Sequence, residues 1–158
     1  MILTPIAFAD LPRVLDRFAA WLDGDPCAAA VFRRIRDSLP PSGDTGDPAR
    51  QIEQAVALAA ALGIPTIDED PAEAFSWDGH AIRTRSEPSV VIHEIAHWQL
   101  CPPERRHLLD FGLGAGPESG RRAEADAQRC VDSETGWDEE NLTSLLGILW
   151  EAELGQPG

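Results

Sequence analysis

Apolar residues recur at helical spacing along the first half of the chain. This pattern predicts three helices, over residues 11–22, 28–39 and 49–62. Aspartate and proline stand at the helix starts and glycine follows two of the ends, as is typical of capped helices. Residues 40–48 are rich in Pro, Gly and Asp, and this composition predicts a flexible loop.

The second half mixes one short strand with further helices. His80 to Thr84 has the character of a strand, and a strongly apolar helix follows from about Pro88 until Cys101-Pro102-Pro103 ends it. Further helices are expected from Glu104 to Asp110, over residues 121–131, and from Asp138 or Glu139 onward, with Gly136 as a break. The predicted fold class is therefore mainly α, with a small sheet, in one domain spanning residues 1–158.

The apolar helix contains the motif His93-Glu94-Ile95-Ala96-His97. Positions i and i+4 of a helix lie on one face, so the two imidazoles can bind one metal ion. Glu94 stands beside the first histidine, where a carboxylate can act as a general base on water, as in zinc peptidases. Burying these groups would be costly without a partner, and a metal supplies one. The motif predicts a compact, zincin-like domain built around this helix.

A third protein ligand is expected, because two histidines do not complete such a site. We predict Glu124, with Asp126 as the alternative, because both stand on an alanine-rich helix that can approach another helix closely. The sequence Glu-x-x-Ala at 124–127 also looks like the third-ligand helix of glutamate-type zincins. Other acidic or thiol candidates are Glu104, Asp110, Glu118 and Cys130.

The charge and the cysteine content limit the classes of binding partner and the cell compartment that are expected. The 158 residues carry 27 acidic and 13 basic side chains, for a net charge of −14. This acidity disfavours binding to nucleic acid or to anionic membranes and weakly favours a neutral or cationic substrate. Three cysteines do not suggest a disulfide framework, and no signal peptide or membrane span is recognisable. A cytoplasmic protein is expected.

Two stretches together resemble one known family. His93-Glu94-Ile95-Ala96-His97-Trp98, followed by Arg105-Arg106-His107-Leu108-Leu109-Asp110-Phe111-Gly112, is similar to the core of the elongation factor P hydroxylase family. The resemblance implies a cytoplasmic metal hydroxylase with two histidines and one carboxylate, like non-haem Fe(II) enzymes. It also implies a lysine-type substrate on a protein, such as a translation factor. After Gly112 the chain departs from the family.

Three functions follow from these observations. The first is an Fe(II) hydroxylase, which the resemblance favours. The second is a small Zn(II) metallopeptidase with Glu94 as base, although the chain has no Tyr to stabilise an oxyanion. The third is a non-enzymatic regulatory domain that keeps the motif helix for its structure. The sequence indicates neither the oligomeric state nor the need for a cosubstrate.

Overall fold

A computed structural model describes residues 6–38, 46–71, 75–116 and 121–156. The fold is mainly helical. Its six α-helices within these ranges are α1 (Leu11–Trp21), α2 (Pro26–Arg36), α3 (Pro48–Ala61), α4 (Pro88–Leu100), α5 (Arg122–Ala127) and α6 (Ser133–Leu154). Short 3-10 turns occur at Phe8–Asp10, Pro103–Arg105 and Leu109–Gly112.

Proline and aspartate begin several helices in the way the sequence predicts. Pro26, Pro48 and Pro88 are the first residues of α2, α3 and α4, where the missing N–H costs nothing. The Asp25 carboxylate caps α2 by accepting hydrogen bonds from the backbone N–H groups of Cys27 and Ala28, both at 3.0 Å. Asp47 caps α3 in the same way.

The sheet contains only two short strands, β1 (Thr66–Ile67) and β2 (Ile82–Arg83). They pair in parallel, with Thr66 opposite Ile82 and Ile67 opposite Arg83. The predicted strand at His80 to Thr84 is thus confirmed in its central residues, and the small sheet lies against α4.

The motif helix α4 lies at the centre of the described fold. It packs against α6 on one side and α3 on another, while α2 packs on α6 and α1 packs on α2. Side chains from α3, α4 and the strand region form the core: Ala55, Ala59, Ile64, Trp77, Ile82, Val91, Ile92, Ile95, Cys101 and Phe111. Among the described residues, no helix has the length and apolarity needed to cross a lipid bilayer.

Several predicted boundaries were wrong. Helix α2 stops at Arg36, before Leu39, and the helix expected from Glu104 to Asp110 is replaced by two 3-10 turns. Helix α5 covers six residues of the longer helix predicted over 121–131. Part of the predicted loop at 40–48 lies outside the described residues.

The largest correction concerns α6. Gly136 does not break a helix but lies inside the first turn of α6, which begins at Ser133. Asp132 starts the helix, because its carboxylate accepts a hydrogen bond of 2.8 Å from the backbone N–H of Thr135. As a result, Glu139 and Glu140 lie within the helix rather than at its start.

Candidate metal centre

The two histidines of the motif lie together on one side of α4. Their ring centroids are 4.6 Å apart and their planes are perpendicular. The side chain of His97 is 8% exposed and that of His93 is 33% exposed, so one ring is enclosed and the other faces the pocket. The i, i+4 spacing therefore places both imidazoles where they can bind the same metal ion, as the sequence predicts.

Glu140 on α6 completes a group of three. One carboxylate oxygen of Glu140 lies 3.5 Å from Nε2 of His93, and the other lies 3.5 Å from Nε2 of His97. Hydrogen bonds from these two histidines lower the pKa of Glu140 well below its usual value, although burial opposes this shift. Among the described residues, these three form the cluster whose donor atoms can hold a metal ion, all within 4.8 Å of one another.

The three side chains could together bind a divalent metal. The separations of 3.5 Å involve different oxygens of Glu140, one facing each histidine. With one donor atom taken from each residue, the three atoms all lie within 4.8 Å of one another. Two imidazoles and one carboxylate are also a donor set that both Zn(II) and Fe(II) accept in proteins.

The carboxylates that the sequence favoured as third ligand are not part of this group. Glu124 is exposed on α5 and forms an ion pair with Arg121, the residue just before this helix. The Asp126 carboxylate accepts a hydrogen bond of 2.9 Å from the backbone N–H of Ala115. Glu124 and Asp126 therefore do not lie with the two histidines, and Glu140 takes that position in the group, because α6, and not α5, is the helix that packs along α4.

The remaining candidates also lie elsewhere. Glu104 is exposed, and Cys130 lies beside Gly112, with its sulfur 3.7 Å from the Gly112 carbonyl oxygen. Glu118 lies outside the described residues. Asp110 does not join the three ligands, but it lines the same pocket.

An open pocket of about 780 Å³ contains the site. Glu94 and the three residues of the metal-binding group all line it. Burial raises the pKa of the Glu94 carboxyl; the nearby histidines oppose this shift, and the carboxylates of Asp110 and Glu140 reinforce it. A carboxyl with a raised pKa beside a metal site is suited to accept and return a proton.

The Asp110-Phe111 step has an unusual backbone. Asp110 has φ 43° and Phe111 has φ 55°, which is the left-handed region that residues other than glycine rarely adopt. This turn places the Phe111 ring against His97, with centroids 5.3 Å apart, and against Trp77, with centroids 5.2 Å apart. The strained turn thus supports the enclosed histidine from one side.

Arg105 and Arg106, in the segment after α4, bind residues close to the site. Arg105 donates hydrogen bonds to both carboxylate oxygens of Glu139, at 2.5 and 2.6 Å, and to the Phe111 carbonyl oxygen at 3.0 Å. Arg106 stacks over Trp98 at 3.7 Å from the ring centroid. Arg105 thus holds Glu139, the residue next to Glu140.

Comparisons with protein-family models, with curated proteins and with solved structures find no match to this chain. The class of protein that the structure defines is a mainly helical fold carrying a His/His/Glu group able to bind a metal ion.

Proposed function

We propose that this protein is a metal-dependent hydroxylase, similar in its site to the elongation factor P hydroxylase family, in which His93, His97 and Glu140 bind Fe(II). The observation that carries the proposal is the position of the residues that bear the resemblance. Asp110 and Phe111, from the second stretch that carries the resemblance, line the same pocket as the two histidines from the first. Arg105 from that stretch holds Glu139, the neighbour of the third ligand.

A bound Fe(II) ion would supply the binding and reduction of dioxygen at positions that the three protein ligands leave open. Hydroxylation would insert one oxygen atom of O₂ into a C–H bond of the substrate. With a two-electron reductant, two protons would be taken up and the other oxygen atom would leave as water; with a 2-oxo acid as cosubstrate, that oxygen atom would instead enter the carboxylate formed as the acid loses CO₂. Glu94 would deliver or accept protons beside the ligands, as its raised pKa favours.

The lining of the pocket favours a cationic substrate. Asp70, Glu87 and Asp110 contribute carboxylates, and the guanidinium of Arg85 is bound to the carboxylate of Asp68 at 3.0 and 3.2 Å. An ammonium group would be attracted to such a surface. A lysine side chain on a protein is therefore the proposed substrate class, and a translation factor in the cytoplasm is the partner that the resemblance suggests.

Glu94 also supports a second candidate, a zincin-like Zn(II) hydrolase. Its carboxyl shares the pocket with the ligands and could take a proton from the attacking water. A hydrolase depends on that step, whereas a hydroxylase does not need a second carboxyl group beside the metal ligands.

Metal content and turnover test the proposal together. Protein purified without oxygen should contain one equivalent of iron, which His93→Ala and Glu140→Ala should lose and the exposed control Glu124→Ala should retain. The iron-loaded protein should then consume oxygen in the presence of lysine-containing peptides.

Glu94→Gln separates the two candidates. A hydrolase variant should keep zinc and lose nearly all peptide cleavage, whereas a hydroxylase variant should keep much of its oxygen consumption. Absence of any bound metal, or equal metal content in the Glu140 and Glu124 variants, would refute the site assignment.

A further inference from the structure

Thr143 lies on α6, one turn after Glu140, and its side chain is fully buried. Its hydroxyl oxygen is 3.2 Å from Nδ1 of His97. The other ring nitrogen of His97, Nε2, faces Glu140 at 3.5 Å. Both edges of this imidazole are therefore in contact with residues of the same helix.

We propose that Thr143 is a positioning residue that holds His97 in the tautomer and orientation needed to bind the metal; this inference rests on the proposed metal centre. A neutral imidazole carries one N–H group, and the nitrogen that binds a metal must offer its lone pair. With Nε2 directed at the metal, Nδ1 carries the hydrogen and donates it to the Thr143 hydroxyl. Such a contact to the second ring nitrogen fixes the orientation of a ligand and raises its basicity.

The surroundings of His97 agree with this role. Phe111 covers one face of the ring at an interplanar angle of 22°, and Thr143 contacts its edge, so rotation of the ring is restricted from two directions. Gly147, the next small residue along the same face of α6, lies against the backbone of α4 at His93. The close approach of the two helices is what brings a side chain as short as threonine within reach of the imidazole.

The chain offers a closely matched set of variants. Thr143→Val has nearly the same shape and lacks the hydroxyl, whereas Thr143→Ser keeps the hydroxyl and lacks the methyl group. Ser144→Ala removes a hydroxyl from the adjacent, exposed position of α6 and is the control. The probe is Zn²⁺ alone, with affinity measured by competition against a chelator, alongside unfolding of the metal-free protein.

We expect Thr143→Val to weaken Zn²⁺ binding by about 10- to 100-fold. Thr143→Ser and Ser144→Ala should remain close to the parent protein. In the Zn²⁺-loaded parent, nuclear magnetic resonance should show a hydrogen-bonded Nδ1–H proton on His97, and Thr143→Val should shift or lose this signal. A purely structural role would not move the signal.

Two results would overturn the inference while leaving the metal centre intact. One is parent-like Zn²⁺ affinity in Thr143→Val. The other is an equal loss of affinity in Thr143→Val and Thr143→Ser, because a variant that keeps the hydroxyl would then fail like one that lacks it, and the packing of the side chain rather than the hydrogen bond would be responsible. Failure of the parent protein to bind Zn²⁺ would instead remove the metal centre and this inference together.

Discussion

Substitutions of Gly147 test whether the close contact between α6 and the motif helix α4 brings His93 near Glu140. A Cβ atom at this position would lie 3.8 Å from the Cα of His93, which is ordinary van der Waals contact. Glycine in a helix interior costs about 0.8–1.0 kcal/mol relative to alanine. Gly147→Ala should therefore stabilise the metal-free protein by about 0.5–1 kcal/mol, which raises Tm by about 1–4 °C at this chain length. Its Zn²⁺ affinity should be unchanged.

Gly147→Leu should behave in the opposite way. The atoms beyond Cβ would have to enter the space at the α4 backbone, and such overpacking costs about 1–3 kcal/mol. Since the neighbour is His93, relief of the overlap would move this ligand away from Glu140. We expect both a lower Tm and weaker Zn²⁺ binding, measured by thermal unfolding and by chelator competition.

Gly136 supplies the control within the same helix. A Cβ atom there would meet only the side chains of Val131 and Arg129, at 3.9 and 4.0 Å. Gly136→Leu should therefore leave Zn²⁺ affinity unchanged. Destabilisation by Gly147→Ala, or unchanged metal affinity in Gly147→Leu, would refute the idea that this close helix contact brings His93 to Glu140.

Three further predictions concern the surroundings of the metal group. The side chains of Arg105 and Glu139 are only 11% and 22% exposed. Arg105→Met alone should therefore destabilise the protein more than Arg105→Met combined with Glu139→Gln, because the single variant leaves the Glu139 carboxylate without its cationic partner. Urea unfolding should give a coupling energy of about 1–3 kcal/mol, and additive effects would contradict a coupled pair. Asp110→Gly should leave stability unchanged or raise it by about 1 kcal/mol, because glycine adopts the left-handed conformation without strain. Its oxygen consumption with lysine peptides should fall, and a marked loss of Tm would contradict the strain argument. Burial lowers the pKa of His93, but the hydrogen bond to Glu140 and nearby carboxylates raise it more, so the net pKa lies above the ordinary value of 6.5. Because a metal binds only the neutral imidazole, Zn²⁺ affinity should be full above this raised pKa and should fall as pH decreases through it. Zn²⁺ titrations across pH 5–9 test this, and a pH-independent affinity would refute it.

The helices were predictable where the residues at the helix starts and the spacing of apolar residues indicate the same segment. Pro26, Pro48 and Pro88 begin helices within two residues of the predicted starts, and the apolar spacing of α1, α3 and α4 indicates their approximate length. The short segments were less predictable. The pairing of Thr66 with Ile82 joins residues far apart in the chain, and two-residue strands carry no alternating pattern from which such pairing follows. The 3-10 turns after Cys101 replace a predicted helix, because two consecutive residues, Asp110 and Phe111, adopt the left-handed conformation.

The third ligand shows why a site that joins two helices is hard to read from one sequence. Alanine at several positions of α5 predicts close helix packing there, and this is the basis of the prediction of Glu124. Close packing in fact occurs on α6, where Thr143 and Gly147 lie on the face turned to α4. A helix break at Gly136 puts the predicted start of the last helix at Asp138 or Glu139. The structure instead has one helix from Ser133, in which Glu140 lies one turn before Thr143. The sequence feature that could have indicated Glu140 is the spacing of small and polar residues along α6. Glu140, Thr143, Gly147 and Glu151 recur every three or four residues, and Asp132 is a sufficient N-cap for a helix that includes all four. Small and polar residues at helical spacing therefore indicate the face of α6 that contacts the histidines. Closeness in sequence to the motif does not indicate which carboxylate lies there.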